Sequence, residues 1–150
     1  MATENFNELI DFAIEQEQAA VDFYTDLAAK VKEAHVRDTL LEFADQERRH
    51  KAKLQAVRLR PTLPKTAGKI QDLKISDYLV EVEPTPELTF QGALIIAMKK
   101  EKAAYRMYRD LASYSQDPEL RDVFQFLAQE EANHKLAFEL EYDQLILQEN

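Results

Sequence analysis

The stretch Glu47-Arg48-Arg49-His50 places a carboxylate and an imidazole three residues apart, and the same spacing returns 84 residues later (131 minus 47) in Glu131-Ala132-Asn133-His134. On an α-helix, residues i and i+3 lie on one face about one turn apart. Each pair can therefore direct an oxygen and a nitrogen at one point, as metal ligands do. One isolated pair is more often a coincidence of a helix surface, but two copies in one chain favour a metal site.

Both pairs lie in segments where inward-facing residues recur at alternating steps of three and four, the pattern of a packed bundle helix. Four such helices are predicted, at residues 5–32, 36–59, 86–114 and 118–147. The predicted inward positions are Phe6, Ile10, Ala13, Glu17, Ala20, Tyr24, Leu27 and Val31, then Val36, Leu40, Phe43, Glu47, His50, Leu54 and Val57, then Phe90, Leu94, Ala97, Glu101, Ala104, Tyr108 and Leu111, and finally Leu120, Phe124, Leu127, Glu131, His134, Phe138 and Leu145.

The helix ends are marked unevenly. Asn5 with Glu8 resembles a capping box for the first helix, with Thr3 as a competing cap. Thr85 followed by Pro86 predicts the start of the third helix, and Asp117-Pro118-Glu119 predicts the start of the fourth. The boundary between the first two helices carries neither Gly nor Pro and is therefore the least defined.

Between the second and third helices, residues 60–85 contain several prolines and break the helical pattern. A connection of this length can return the chain to the other end of the bundle, which would make the second and third helices parallel. Apolar residues within it are expected to cover a flank of the bundle: Ile70, Leu73, Ile75, Tyr78, Leu79 and Val82. The prediction is an all-α, single domain over residues 1–150, a four-helix bundle of two antiparallel hairpins joined by a long crossover.

Composition restricts the classes of function. The net charge of −9 argues against a phosphate-binding surface, so no nucleic-acid partner is expected. The longest apolar run, from Ala93 to Met98, is far below the roughly 20 residues of a membrane span, and a cytoplasmic location with no membrane association is expected. Because the chain has no cysteine, it can form neither a disulfide nor a rubredoxin-type iron centre.

Superposing the halves at the 84-residue offset aligns Glu17 with Glu101, and it aligns Tyr24 with Tyr108. The chain thus reads as two related hairpins about a pseudo-twofold axis. Four inward carboxylates would carry four negative charges into the core, at a cost on the order of several kcal/mol each unless they are neutralised. No inward position offers Lys or Arg. Either the carboxylates are protonated, or two divalent cations balance their charge while the two imidazoles complete the ligand set.

One Glu from each of two helices, with Glu-x-x-His from each of the other two, is the ligand pattern of ferritin-like di-iron or di-manganese carboxylate proteins. Over nearly its whole length the chain resembles the rubrerythrin branch of that superfamily, including the interval from Glu17 to Tyr24 and its counterpart from Glu101 to Tyr108. The resemblance implies a ferritin-like bundle with two iron ions, although manganese or zinc can occupy the same type of site.

The resemblance also implies a role for each ligand. Glu47 and Glu131 would bridge the two metals. Glu17 and Glu101 would be terminal ligands, and His50 and His134 would each supply one nitrogen. These six residues are the predicted metal and catalytic site: Glu17, Glu47, His50, Glu101, Glu131 and His134.

The chain departs from typical rubrerythrins in two respects. They carry a C-terminal rubredoxin domain with four cysteines, and here electrons would have to come from a separate donor protein. They also carry a further Glu one turn beyond the ligand of the third helix, where this chain has Ala104. In the family that carboxylate is linked to a redox-dependent iron shift and peroxidase activity, so its absence argues against efficient peroxide reduction.

The sequence therefore predicts a non-haem di-iron oxidoreductase of the ferroxidase or peroxidase type, oxidising Fe(II) or reducing oxygen or hydrogen peroxide, in oxidative-stress or iron handling. The alternatives are a non-catalytic metal-binding or iron-storage protein and a structural bundle. A homodimer is expected. Tyr24 and Tyr108 could bind ligand carboxylates or carry an electron, or serve only as core tyrosines. His35 and Glu130 are predicted to lie outside the site.

Overall fold

The computed structural model describes residues 2–60, 75–80 and 89–149. These residues form four long helices, α1 (Ala2–Lys30), α2 (Ala34–Arg58), α3 (Phe90–Tyr114) and α4 (Pro118–Glu149), with a short 3-10 helix at Ile75–Tyr78 between α2 and α3. The described ranges contain no β-strand. The predicted all-α class is therefore confirmed.

The helix ends agree with the sequence signals only in part. α1 begins at Ala2, so Asn5 lies within the helix and the predicted capping box does not start it. α3 begins at Phe90, where the Thr89 hydroxyl accepts a hydrogen bond from the Gly92 backbone N–H at 3.0 Å. The predicted start at Pro86 lies outside the described residues. The fourth helix starts as predicted, with the Asp117 carboxylate accepting from the Glu119 N–H at 3.0 Å.

Contacts between the hairpins give the helix directions. α1 packs along α2 and α3 along α4, each pair joined by a three-residue connection that makes the helices antiparallel. Tyr24 contacts Glu101, whereas Glu17, earlier in α1, contacts Tyr108, later in α3. α1 and α3 therefore also run antiparallel. It follows that α2 and α3 are parallel, as predicted for a long crossover.

The buried side chains form two apolar clusters, one toward each end of the bundle. The first joins the start of α1 to the end of α2, and the second joins the end of α1 to the start of α2. All the predicted inward positions are buried or partly buried. The six polar residues of the predicted site lie between the two clusters along the helices, so the bundle is apolar at both ends and polar at its centre.

The crossover contacts the bundle through the 3-10 helix. Tyr78 is buried in the first apolar cluster, and its hydroxyl donates to Asp110 Oδ2 at 2.8 Å. Leu79 is 60% exposed, so the prediction that it covers the bundle is wrong. The same prediction for Ile70, Leu73 and Val82, and for the side chain of Ile75, falls outside what the structure describes.

Among the described residues, no helix combines the length and the apolar character that crossing a lipid bilayer would require.

Candidate metal centre

The four helices bring all six predicted site residues together at mid-length of the bundle. Each lies on the inward face of its helix, because the alternating steps of three and four keep it in line with apolar neighbours that bury that face. None of the six is more than 2% exposed. The residues are Glu17 on α1, Glu47 and His50 on α2, Glu101 on α3, and Glu131 and His134 on α4.

The six side chains form two overlapping sets of four. Glu17 and His50 make one set, Glu101 and His134 make the other, and Glu47 and Glu131 belong to both. Within each set, one potential ligand atom from every residue lies within 4.8 Å of the others. Two cations sharing two carboxylates would fit this arrangement, and the two shared residues are those to which the sequence pattern assigns the bridging role.

Each imidazole faces a shared carboxylate from the opposite hairpin. His50 Nδ1 lies 2.7 Å from Glu131 Oε1, and His134 Nδ1 lies 2.8 Å from Glu47 Oε1. The two rings are nearly parallel, with their centroids 6.1 Å apart. The Nδ1 atoms therefore point at the centre of the cluster, while the Nε2 atoms point outward.

The two inward tyrosines bind the two carboxylates that are not shared. The Tyr24 hydroxyl donates to Glu101 Oε1, and the Tyr108 hydroxyl donates to Glu17 Oε1 at 2.5 Å. Each bond joins α1 to α3. Of the readings left open by the sequence, hydrogen bonding to the predicted ligands is thus the one that the structure supports.

Burial and mutual repulsion make this cluster electrostatically costly. Burial raises the pKa of Glu47, and the charges of Glu17 and Glu101 raise it further. Burial likewise raises the pKa of Glu131, and the neighbouring carboxylates add to the effect. For Glu101, burial alone would raise the pKa, but the polar groups of Glu131, His134 and Tyr24 outweigh it and the pKa is lowered.

The tyrosine hydroxyls stay protonated under the same conditions. Burial, followed by the charges of nearby carboxylates, raises the pKa of both Tyr24 and Tyr108 well above the usual value for a phenol. Each hydroxyl is therefore a permanent donor that fixes one oxygen of its carboxylate.

The polar atoms at the centre of the cluster that have no hydrogen-bond partner fit cations better than protons. Among the described residues, several buried atoms of the cluster have no hydrogen-bond partner of suitable geometry: Glu17 Oε2, Glu47 Oε1, Glu101 Oε2 and His134 Nδ1. His134 Nδ1 and Glu47 Oε1 are close together, yet they are not aligned for a hydrogen bond. Buried carboxylate and imidazole atoms of this kind suit iron, manganese or zinc, so the donor set fits two such ions.

Two residues next to the predicted ligands also contact the site, and sequence analysis missed both. Gln46 Oε1 lies 2.5 Å from His134 Nε2, and Glu130 Oε1 lies 3.7 Å from His50 Nε2. The sequence predicts that Glu130 lies outside the site because it points away from the ligand face of its own helix. Its contact is instead with His50 of the opposite hairpin. The signal was present in the repeat, because residues 46 and 130 occupy equivalent positions at the 84-residue offset. His35 is 66% exposed and takes no part, as predicted.

Two cavities formed by residues that the structure describes have linings without any of the six site residues. A cavity of about 540 Å³ lies between α3 and α4, and none of the six site residues lines it. A much smaller cavity of about 40 Å³ is lined by Phe43 and Phe138 among others. The Phe43 ring stacks on His134 with centroids 4.1 Å apart, and the Phe138 ring lies 5.4 Å from that of Tyr24. Within the described residues, the six site residues are therefore interior, at most 2% exposed.

Comparison with known proteins agrees with the fold and with the type of site. The search of curated protein sequences found no match to the chain. A hypothetical protein from Pyrococcus furiosus has a similar structure, with a TM-score of 0.71, 23% sequence identity, and coverage of 93% of this chain and 89% of that one. A protein from Thermotoga maritima, described as a candidate ferritin-like diiron-carboxylate protein, gives a TM-score of 0.74 at 20% identity, covering 91% of this chain and 93% of that one.

At these identities the two structures establish the fold, which is the ferritin-like four-helix bundle. The sequence itself carries the family assignment, because the family model for rubrerythrin matches residues 8–142. That range includes all six residues of the buried carboxylate and histidine cluster, which has the composition of a diiron site. The chain therefore belongs to the rubrerythrin family.

Proposed function

We propose that this protein is a non-haem di-iron oxidoreductase that oxidises Fe(II) or reduces oxygen or hydrogen peroxide at the buried cluster. The observation that carries the proposal is the pair of overlapping ligand sets. Both sets use Glu47 and Glu131, and each adds one further carboxylate and one imidazole. Two ions held this way could act as a pair, which suits reactions that need two electrons.

The residues of the chain have defined tasks in this proposal. Glu17, Glu47, His50, Glu101, Glu131 and His134 hold the two iron ions. Tyr24 and Tyr108 hold one oxygen of Glu101 and of Glu17, respectively, which leaves the second oxygen of each carboxylate for a metal. Because burial and the neighbouring carboxylates raise the pKa of Glu47 and Glu131, metal binding, which favours their charged forms, is expected to displace protons from this pair.

Two Fe(II) ions supply two electrons, enough to reduce one hydrogen peroxide to two waters with two protons, or one oxygen to hydrogen peroxide. The surroundings of the cluster support a small oxidant. The cavity of about 40 Å³ beside Phe43 and Phe138 has room for about one water-sized molecule, and its lining is mostly apolar. A larger organic substrate would have to displace side chains that are buried around the cluster.

Repeated turnover needs a source of electrons. The chain has no cysteine and so contains no rubredoxin-type centre of its own. We therefore propose that a separate electron-donor protein re-reduces the site. We further propose a homodimer, in line with Leu136 and Leu140, which lie one turn apart on α4 and are 56% and 57% exposed.

A second candidate is a metal-binding or iron-storage protein whose site fills with little turnover. One observation favours it. Ala104, one turn beyond Glu101, packs against the apolar cluster and offers no carboxylate at the position where typical rubrerythrins have one.

The test starts from metal-free protein loaded with Fe(II) without oxygen, followed by stopped-flow addition of oxygen or hydrogen peroxide. The proposal expects two Fe(II) bound per chain, rapid oxidation, and further cycles when a reductant is added. A single filling with slow oxidation would instead support the storage function. If the chain does not bind two Fe(II) ions, both the oxidoreductase function and the storage function are wrong.

Two variants show whether the cluster is responsible for iron binding. Glu47→Gln combined with Glu131→Gln removes both shared carboxylates while keeping side-chain volume, and iron binding is expected to be lost. Glu15→Gln, at an exposed position on α1, is the control and should bind and oxidise iron as the unmodified chain does. Circular dichroism verifies that each variant retains its helices.

A further inference from the structure

The two imidazoles of the cluster have chemically different partners on their outer nitrogens. His134 Nε2 faces the neutral side-chain carbonyl of Gln46, with Oε1 at 2.5 Å. His50 Nε2 faces the carboxylate of Glu130, with Oε1 at 3.7 Å. Each partner comes from the opposite hairpin. The six predicted ligands are the same in the two halves of the site, but the groups behind the ligands are not.

The neighbours of these partners reinforce the difference. Gln46 Nε2 donates to Glu42 Oε1 at 3.4 Å, which orients the amide so that its oxygen faces His134. At the 84-residue offset, residue 42 corresponds to Phe126, whose ring packs edge-on against His50 at 6.2 Å between centroids. On the His134 side the Glu42 carboxylate is therefore separated from the imidazole by the Gln46 amide. On the His50 side it faces the imidazole directly.

This difference affects how strongly each imidazole binds a cation. A ligating histidine whose second nitrogen donates to a carboxylate is a stronger donor than one that donates to a neutral carbonyl. The Glu130 charge also attracts a nearby cation, and only 27% of its side chain is exposed, so solvent screens it incompletely. His50 Nε2 is buried and has no hydrogen-bond partner of suitable geometry among the described residues, so the carboxylate is the acceptor available to it.

We propose that Glu130 and Gln46 are positioning residues that make the two metal positions unequal, so that the first ion binds on the His50 side and the second on the His134 side. The inference rests on the two-metal site of the proposed function and goes further by ordering its loading. It concerns affinity and not the identity of the ligands.

Calorimetric titration of the metal-free 150-residue chain with Co²⁺ tests this order, and the Co²⁺ visible absorption spectrum gives a second readout. Two successive steps are expected for any pair of nearby cations, because they repel each other. The variants are therefore what discriminates. Glu130→Gln should weaken the first step by about 10-fold or more and leave the second nearly unchanged. Gln46→Glu should leave the first step nearly unchanged and strengthen the second by about 10-fold.

Other results would overturn the inference. If the two positions are equivalent, Glu130→Gln will spare the first step and weaken only the second, because the first ion then binds on the unaffected side. Equal shifts of both steps, or none, would also contradict it while leaving the two-metal site intact. Failure of the unmodified chain to bind two Co²⁺ would overturn this inference and the proposed function together. Glu15→Gln, which removes one negative charge at an exposed position, is the charge-matched control for Glu130→Gln.

Discussion

The two hairpins of this protein, α1 with α2 and α3 with α4, share their ligands and differ in what surrounds them. Each supplies one carboxylate from its first helix and Glu-x-x-His from its second. Each also supplies the tyrosine that binds the other hairpin's carboxylate. The outer partners of the histidines have diverged to Gln46 in one half and Glu130 in the other. The two halves are therefore identical in the groups that point at the centre of the site, where the required geometry is most restrictive. They differ in the groups that lie outside the predicted ligands.

The largest expected effect is on the stability of the metal-free protein, because the two halves bring four carboxylates together in the core. Above the ordinary carboxyl pKa of 4.5, folded Glu47 and Glu131 hold protons that the unfolded chain has released, so their raised pKa values make stability fall as pH rises. The lowered pKa of Glu101 acts below 4.5, where its stabilising contribution is lost as pH falls. The metal-free protein should therefore become easier to unfold with urea as the pH rises above about 5.

Metal should remove this loss of stability. At a free metal concentration about 1,000 times the Kd, each bound ion adds about 4 kcal/mol, or very roughly 10 °C in Tm for a chain of this size. Urea and thermal unfolding with and without Mn²⁺ would measure both effects. A metal-free protein whose stability rises steadily over the same pH range would contradict the assignment of Glu47 and Glu131 as the costly carboxylates.

The next largest effect separates the two halves. Glu17→Gln should lower the affinity for the ion on the His50 side, and Glu101→Gln should lower the affinity for the ion on the His134 side. Each loss should exceed about 100-fold, because losing even an outer partner of a ligand lowers metal affinity by about 10–100-fold. Each variant should therefore retain one Co²⁺ per chain by calorimetry. Loss of both ions in either variant would mean that the two positions cannot be filled independently.

The smallest effect tests the tyrosines. Tyr24→Phe and Tyr108→Phe remove the donors to Glu101 and Glu17, and each should weaken one Co²⁺ step by about 10-fold. The free energy of unfolding of the metal-free protein should fall by about 1–3 kcal/mol, the cost of leaving a buried acceptor without its donor. Because Tyr108 binds the carboxylate on the His50 side and Tyr24 the one on the His134 side, Tyr108→Phe should weaken the first step and Tyr24→Phe the second, by similar factors. A change confined to redox turnover, with binding and stability unaltered, would instead assign them to electron transfer.

Much of the fold could be predicted because inward positions follow the helical period, and the same period placed Glu17, Glu47, Glu101 and Glu131 in the core. The parallel arrangement of α2 and α3 followed from the length of the crossover. The errors lie where local signals compete. Asn5 is a residue type that often caps a helix, yet α1 already begins at Ala2. Leu79 is apolar, yet it is exposed, because burial depends on which part of the crossover reaches the bundle.

The sequence by itself determined the six inward polar residues, their duplication at 84 residues and the charge that makes cations the natural counterpart, since all three depend only on residue type and helical spacing. Only the tertiary structure decided which groups meet across the hairpins. Tyr24 binds Glu101, Tyr108 binds Glu17, and His50 and His134 face unlike outer partners. Such pairings depend on the axial register and rotation of packed helices, which the period of a single helix does not specify.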